Sequence, residues 1–257
     1  MVQRRQLLLG GSLGTILNLR CACPARAKAA RHNDSFGCRL PDREVQSFFD
    51  TAPETRMFIT GDEPMIPRSG DKDFDLALAQ TLAMISELFQ VTPGFAYYDD
   101  YDGANAFATP RARLNGANGT VLFGQTMLER LRRGRESPDV SVASVCAHEF
   151  GHILQYKHRL TDRLSAGQTT TKRAELQADF FAGYFAGVRK RQKPDFPAAV
   201  FAMTQYNFGD ENFNKPSHHG TPDERAAAIA FGFQSAFRDR HSLSEAIEIG
   251  TKYVMAL

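Results

Sequence analysis

The sequence predicts an α+β fold that is mostly helical, with a small sheet in its N-terminal half. Apolar residues recur at intervals of three and four over several long stretches, a pattern typical of helices that pack on a core. Two short runs, FAYYD (residues 95–99) and GTVLFG (residues 119–124), are rich in β-branched and aromatic residues and are flanked by turn-forming residues. These two runs are therefore the predicted strands.

The predicted elements of the first half follow in order. The first helix covers residues 71–90, where Leu78, Leu82, Ile85 and Phe89 share one face. Pro93-Gly94 then breaks the helix before the first strand. After the second strand, a short helix ends in the basic run LERLRRGR, and basic residues at a helix C-terminus favour the helix dipole.

The second half is predicted to be helical. Ser137 and Pro138 indicate a helix start, with an N-cap followed by proline at the first position, and this helix runs to about Lys157. Ser242 and Glu245 form a capping box that opens the last helix. Between these points lie the polar loop LTDRLSAGQTTT, the helix KRAELQADFFAGYFAGVRKR, a helix near 195–206 and a helix over 223–237.

The N-terminus has the composition of an export signal. Residues 1–29 combine a basic start, a modest apolar stretch and small-residue cleavage options, and Arg4-Arg5 resembles a twin-arginine signal. The alternative is an amphipathic N-terminal helix of the mature fold. We expect a signal peptide over 1–29, a single domain over 30–257, and a periplasmic or secreted protein.

Removal of residues 1–29 would change the formal charge from +2 to −3, because five basic and no acidic residues are lost. This charge argues against a nucleic-acid partner. No run of about 20 apolar residues occurs, so we expect no transmembrane segment in the mature chain. Cys38 and Cys146 would remain, either paired or, for Cys146, as a buried thiol.

The motif HEFGH, residues 148–152, indicates a metal site. On a helix, His148 and His152 lie one turn apart on the same face, so both imidazoles reach one ion. Glu149 lies beside them, placed as a general base that takes a proton from water at the metal. Catalytic zinc usually has three protein ligands. We therefore predict one Zn²⁺ per chain and a third ligand elsewhere.

Two residues, His158 and Glu175, are candidates for the third ligand. His158 lies six residues beyond His152, which places it about 120° around an unbroken helix and out of reach of the ion. The segment ELQAD instead places Glu175 and Asp179 one turn apart on the next predicted helix. We predict that Glu175 is the third ligand and that Asp179 accepts the free ring N–H of a zinc histidine.

HEFGH followed by ELQAD resembles the gluzincin metallopeptidases, most closely the minigluzincins. That group comprises CAAX prenyl protease/HtpX-like peptidases and soluble bacterial neutral zinc metallopeptidases. The resemblance covers about residues 70–235 and implies a zincin-like catalytic domain built on an HExxH active-site helix. The segment NAFA, residues 105–108, matches the family's substrate-binding edge strand, which implies that Asn105 and Ala106 bind substrate.

A second matching segment is HGTPDER, residues 219–225. The resemblance implies that His219 and Arg225 are associated with the substrate and the developing oxyanion. The residues themselves allow this reading, since an imidazole opposite the metal can supply an oxyanion donor. Arg225 could also pair with an acid and hold the site in shape. His218 is the rival of His219, and the spacing to Arg225 favours His219.

These observations predict an exported zinc endopeptidase that hydrolyses peptide bonds in a peptide or protein substrate. One alternative is an aminopeptidase or a zinc hydrolase with another class of substrate. Another is a zinc-stabilised binding or chaperone module without turnover.

Overall fold

A computed structural model describes residues 63–101, 103–134 and 137–257 of the chain. The predicted signal peptide and Cys38 lie outside these ranges. Within them the chain is α+β and mostly helical, with one small sheet, as predicted. In this part of the chain no helix is both long enough and apolar enough to cross a membrane.

The first helix, α1 (Lys72–Phe89), packs one apolar face on the core. Asp71 caps its start, since its carboxylate accepts a hydrogen bond from the Phe74 N–H at 3.1 Å. The side chains predicted to share a face are all buried, which confirms the helical spacing. They are Leu78, Leu82, Ile85 and Phe89.

The sheet has three strands in the spatial order β1-β3-β2. Strand β1 (Gly94–Tyr98) pairs in parallel with β3 (Thr120–Gly124), and β2 (Ala106–Thr109) pairs antiparallel with β3. Strand β2 is thus an edge strand. Helix α2 (Gln125–Arg132) follows β3 directly.

Six helices make up the second half. The predicted order is confirmed, except that a five-residue helix lies inside the expected polar loop. This helix forms around Leu164, which is buried in a small apolar cluster with Leu176, and Leu160 at the start of the loop packs against the same cluster. The helices are α3 (Pro138–Lys157), α4 (Thr161–Ser165), α5 (Lys172–Gln192), α6 (Ala199–Tyr206), α7 (Pro222–Phe237) and α8 (Leu243–Met255).

The predicted starts of two helices are confirmed. Ser242 and Glu245 form the expected capping box at α8. Ser137 lies at the N-cap of α3 and Pro138 begins the helix, although the Ser137 side chain makes no capping hydrogen bond. Its backbone is left-handed, with φ of 43°, whereas a capping serine needs an extended backbone to turn its hydroxyl back to the first turn.

Helix α3 is central and is buried on most of its circumference. Cys146 is a buried free thiol in its core-facing part, among the residues that the structure describes. Burial raises the pKa of this thiol. Gly151 lets α3 approach α5, because a Cβ there would lie 3.1 Å from the Ala178 Cα. The two helices therefore meet beside the histidines of the HEFGH motif.

Helices α5 and α7 make the closest helix contact, through two glycines. A Cβ on Gly183 would lie 2.0 Å from the Ile229 carbonyl oxygen, and one on Gly232 would lie 1.9 Å from the Phe180 carbonyl oxygen. Any other residue at either position would push the helices apart. This approach brings the N-terminal turn of α7, with Arg225, against the first half of α5.

Candidate metal centre and active site

The histidines of α3 face each other at the centre of the site. His148 and His152 lie one turn apart, with ring centroids 4.8 Å apart and ring planes at 87°. Their Nε2 atoms are 3.2 Å apart. The two lone-pair-bearing edges therefore point to a common position rather than to separate partners.

Glu175 of α5 completes this cluster, as predicted. Its Oε2 lies 3.3 Å from His148 Nε2, and its Oε1 lies 3.5 Å from His152 Nε2. Ligand atoms of the three residues lie within 4.8 Å of one another, so the group could hold a metal ion.

The distances within the cluster can be compared with those around a tetrahedral ion. Ligand atoms about 2.0–2.1 Å from zinc lie about 3.4 Å from each other at the tetrahedral angle. The two Nε2 atoms are 3.2 Å apart, and each lies close to a different carboxylate oxygen of Glu175, at 3.3 Å for His148 and 3.5 Å for His152. The cluster could therefore hold one small ion between the two imidazoles and the Glu175 carboxylate.

The other side of the His148 ring is held by a charged pair. Its Nδ1 lies 2.7 Å from Asp179 Oδ1, as predicted for a histidine ligand and its carboxylate. Arg225 donates to both carboxylate oxygens, from Nε at 2.7 Å and from Nη2 at 2.9 Å. Burial alone would raise the pKa of Asp179, but Arg225 and His148 hold it below its ordinary value.

The rest of the Arg225 guanidinium is also engaged. Nη2 donates to Gln205 Oε1 at 2.8 Å, and Nη1 donates to the Phe208 carbonyl oxygen at 3.2 Å. Arg225 is only 4% exposed. These contacts favour the predicted pairing with an acid over direct contact with substrate.

The His152 ring is held by a neutral side chain. Its Nδ1 lies 2.9 Å from Gln155 Oε1, three residues along the same helix. This role of Gln155 was not predicted. The signal was present, since residues three apart on a helix are neighbours.

Glu149 lies next to the cluster and lines a cleft of about 220 Å³ together with His148 and Glu175. Its carboxylate is buried, and its Oε2 has no hydrogen-bond partner among the residues that the structure describes. Burial raises the pKa of this carboxyl above its ordinary value. A buried carboxylate oxygen without a protein partner is costly, and this one lies in the cleft beside the ligand cluster.

The two adjacent histidines, His218 and His219, lie in different environments. His219 lines the cleft and its side chain is about half exposed, whereas His218 is buried. His218 Nδ1 donates to Asp210 Oδ1 at 2.7 Å, and the His219 backbone N–H donates to Asp210 Oδ2 at 3.1 Å. Burial lowers the pKa of His219. The geometry favours His219 over His218 as the residue that reaches a bound molecule.

The edge strand forms another wall of the cleft. Asn105 and Ala106 line it, as the resemblance implied. The Gly124 N–H donates to the Asn105 carbonyl oxygen at 2.9 Å, and the register pairs Ala106 with Phe123. Because backbone groups alternate along an antiparallel strand, the N–H and C=O of Ala106 point away from β3 to the open side of the sheet.

Strand β2 is also hydrogen-bonded to α3, the helix that carries His148 and His152. The Tyr156 hydroxyl of α3 donates to the Ala108 carbonyl oxygen at 3.2 Å. Tyr156 lies four residues beyond His152 and so on the same face of α3. This bond fixes the distance between the edge strand and the histidine pair.

Some residues lie away from the cluster and others were missed. His158 is the exposed C-cap residue of α3, remote from the ligand atoms as predicted. Gln205 and Asp210 were not predicted from the sequence. Both act through tertiary contacts, Gln205 on Arg225 and Asp210 on the loop that carries His219.

No protein-family model, curated protein or solved structure matches this chain. The interpretation of the site therefore depends on its own geometry and chemistry.

Proposed function

We propose that this protein is a zinc-dependent endopeptidase of the gluzincin type with a zincin-like fold. The observation that supports this most directly is the convergence of ligand atoms of His148, His152 and Glu175 within 4.8 Å of one another. The buried Glu149 carboxylate beside them adds a proton acceptor that a purely structural metal site does not need.

The donor set fits zinc. Two imidazole nitrogens and one carboxylate are a common ligand set of catalytic zinc, with an open fourth position. Both histidines have the Nδ1 atom engaged, which leaves Nε2 for the ion. Zinc held by these three residues supplies a Lewis acid that polarises a carbonyl group and lowers the pKa of a bound water.

The residues of the chain then have separate tasks. Glu149 accepts the proton of the attacking water and delivers it to the leaving amine nitrogen. His219, on the cleft wall, donates to the oxygen that becomes negative as the carbonyl carbon turns tetrahedral. Arg225 acts through Asp179 on the orientation of His148.

The edge strand supports a peptide as substrate. An extended peptide can add to an open sheet edge, where main-chain hydrogen bonds set its register. The outward N–H and C=O of Ala106 would form that pair beside the cluster. This pairing uses main-chain groups of the peptide and no free α-amino group, which favours endopeptidase over aminopeptidase activity.

Export of the protein is a separate proposal. It rests on residues 1–29, whose basic start and Arg4-Arg5 pair resemble a twin-arginine signal. Replacement of both arginines by lysine should block transport of a folded passenger. Transport that continues through the general secretory route would contradict the twin-arginine assignment alone.

The test of the enzymatic proposal compares three proteins on casein and on a quenched peptide. The native protein should cleave both, and a chelator should stop it. Glu149→Gln should keep its zinc and lose about 10²–10⁴-fold in rate. His219→Ala should also keep its zinc and lose about 10²–10³-fold.

Equal trace activity in the three proteins would contradict the proposal. The cleavage would then belong to a contaminant, and a zinc-stabilised binding module would become the better account. Full activity of His219→Ala alone would remove only the oxyanion role from that residue.

A further inference from the structure

Three buried polar side chains, Gln155, Gln177 and Thr251, form a line of hydrogen bonds that begins at Gln155 and leads into the core. Gln155 Nε2 donates to the Ala174 carbonyl oxygen at 2.7 Å and to Gln177 Oε1 at 3.2 Å. Gln177 Nε2 donates to Thr251 Oγ1 at 2.7 Å, and the Thr251 hydroxyl donates to the Ile247 carbonyl oxygen at 2.7 Å. All three side chains are at most 2% exposed.

This chain of hydrogen bonds has a single possible direction. A backbone carbonyl can only accept, so Ala174 requires the NH₂ end of the Gln155 amide and Ile247 requires the Thr251 hydroxyl proton. The Thr251 oxygen must then accept from Gln177. The carbonyl groups of Ala174 and Ile247 therefore require the same orientation of the Gln155 and Gln177 amides.

The orientation of Gln155 determines the tautomer of His152. With its NH₂ group committed to Ala174, Gln155 presents its oxygen to His152 Nδ1, which must therefore carry a proton. The Nε2 atom is then left with a lone pair, and this is the atom that points into the ligand cluster.

We propose that Gln155, Gln177 and Thr251 are positioning residues that hold His152 as an Nε2 ligand through a neutral relay. The relay links the metal centre to the C-terminal helix, because Thr251 and Ile247 lie in α8. This inference rests on the proposed metal site and is independent of peptide hydrolysis.

The experiment measures the zinc dissociation constant by competition with a chromophoric chelator at fixed pH. Gln155→Leu leaves His152 Nδ1 without an acceptor and should weaken zinc binding about 10–100-fold, as expected for a residue that orients a ligand. Gln155→Glu keeps an acceptor for Nδ1–H but loses the donor to Ala174 and Gln177, so its affinity should lie between those of Gln155→Leu and the native protein. Such rescue separates hydrogen-bond acceptance from the packing of a long side chain.

A spectroscopic measurement accompanies the binding constant. In the zinc-loaded native protein, the His152 Nδ1–H should give an imidazole proton resonance that exchanges slowly with solvent. The resonance should persist in Gln155→Glu and be lost in Gln155→Leu. A role of Gln155 in packing alone would leave this signal in place.

A matched pair of threonines tests the far end of the relay without removing a glutamine. Thr251 and Thr204 are both buried, and each donates to the carbonyl oxygen four residues earlier, at 2.7 and 2.8 Å. Only Thr251 also accepts from Gln177. Thr251→Val should weaken zinc binding several-fold, and Thr204→Val should leave it unchanged.

Three outcomes are decisive. Unchanged zinc affinity in a folded Gln155→Leu protein overturns the inference, as does equal loss in Gln155→Leu and Gln155→Glu. If Gln155→Leu does not fold, equal affinities of the two threonine variants overturn it. Absence of zinc binding in the native protein would instead contradict the proposed function, and is thereby distinguishable.

Discussion

The two histidines of the candidate metal centre are supported in different ways. His148 is hydrogen-bonded to Asp179, whose charge is balanced by Arg225, and all three side chains are buried. His152 is hydrogen-bonded to the neutral amide of Gln155, which is itself hydrogen-bonded to Gln177. Both arrangements engage Nδ1 and leave Nε2 for an ion, but one uses full charges and the other uses dipoles.

This difference predicts unequal consequences of damage. Removal of one member of a buried ion pair leaves an uncompensated charge in a medium that cannot solvate it. Removal of one member of a neutral relay leaves an unsatisfied dipole, which is less costly. We therefore expect the Asp179–Arg225 pair to dominate stability and the glutamine relay to act more on metal affinity.

The largest effect is expected for Arg225→Met. It leaves the Asp179 carboxylate buried without its cation, which should lower the free energy of unfolding by about 3–5 kcal/mol. Urea denaturation of the metal-free protein measures this. The matched control is Arg132→Met, which breaks an ion pair of similar length, 2.8 Å to Asp71, between partly exposed side chains. That change should cost at most about 1 kcal/mol.

The same pair can be removed as a whole. A double variant, Asp179→Leu with Arg225→Met, removes both charges, and it should be more stable than Arg225→Met alone. A double variant that is less stable, by the sum of the two single losses, would show that charge compensation is not what the pair provides.

An intermediate effect is expected for Gln177→Leu. The change leaves one Gln155 N–H without its second acceptor and the Thr251 oxygen without its donor, and should lower the free energy of unfolding by about 1–3 kcal/mol. Gln192→Leu, at the exposed end of the same helix, is the control and should stay within about 0.5 kcal/mol of the native protein. A larger loss of stability in Gln177→Leu than in Arg225→Met would contradict the expectation that the Asp179–Arg225 pair dominates stability.

The smallest effect is expected for His158→Ala. His158 is exposed at the end of α3, outside the ligand cluster, so zinc stoichiometry and affinity should not change. Stability should stay within about 0.5 kcal/mol. Loss of zinc in this variant, measured by elemental analysis, would show that the helix bends to bring a third histidine to the ion.

The sequence predicts the parts of the site that helix geometry determines. His148, His152, Glu175 and Asp179 follow from spacings of four on two helices, and the structure brings all four together. The capping box of α8 and the apolar face of α1 are local in the same sense. Such relations depend on 3.6 residues per turn and on little else.

Contacts between elements distant in sequence could not be predicted in this way. The relay joins α3, α5 and α8, and Gln205 reaches Arg225 from α6. The relay helices meet because Gly151 and Gly250 let α3 and α8 approach α5, which no local pattern specifies. The same holds for Asp210, whose two contacts fix the loop of His219 after the chain has folded.

The most direct test of the account is the zinc content of two matched glutamate variants. Glu149 and Glu175 both line the cleft, but only Glu175 belongs to the ligand cluster. Elemental analysis should find about one zinc per chain in the native protein and in Glu149→Ala, and little or none in Glu175→Ala. Full zinc content in Glu175→Ala, or none in the native protein, would contradict the assignment of His148, His152 and Glu175 as the metal ligands.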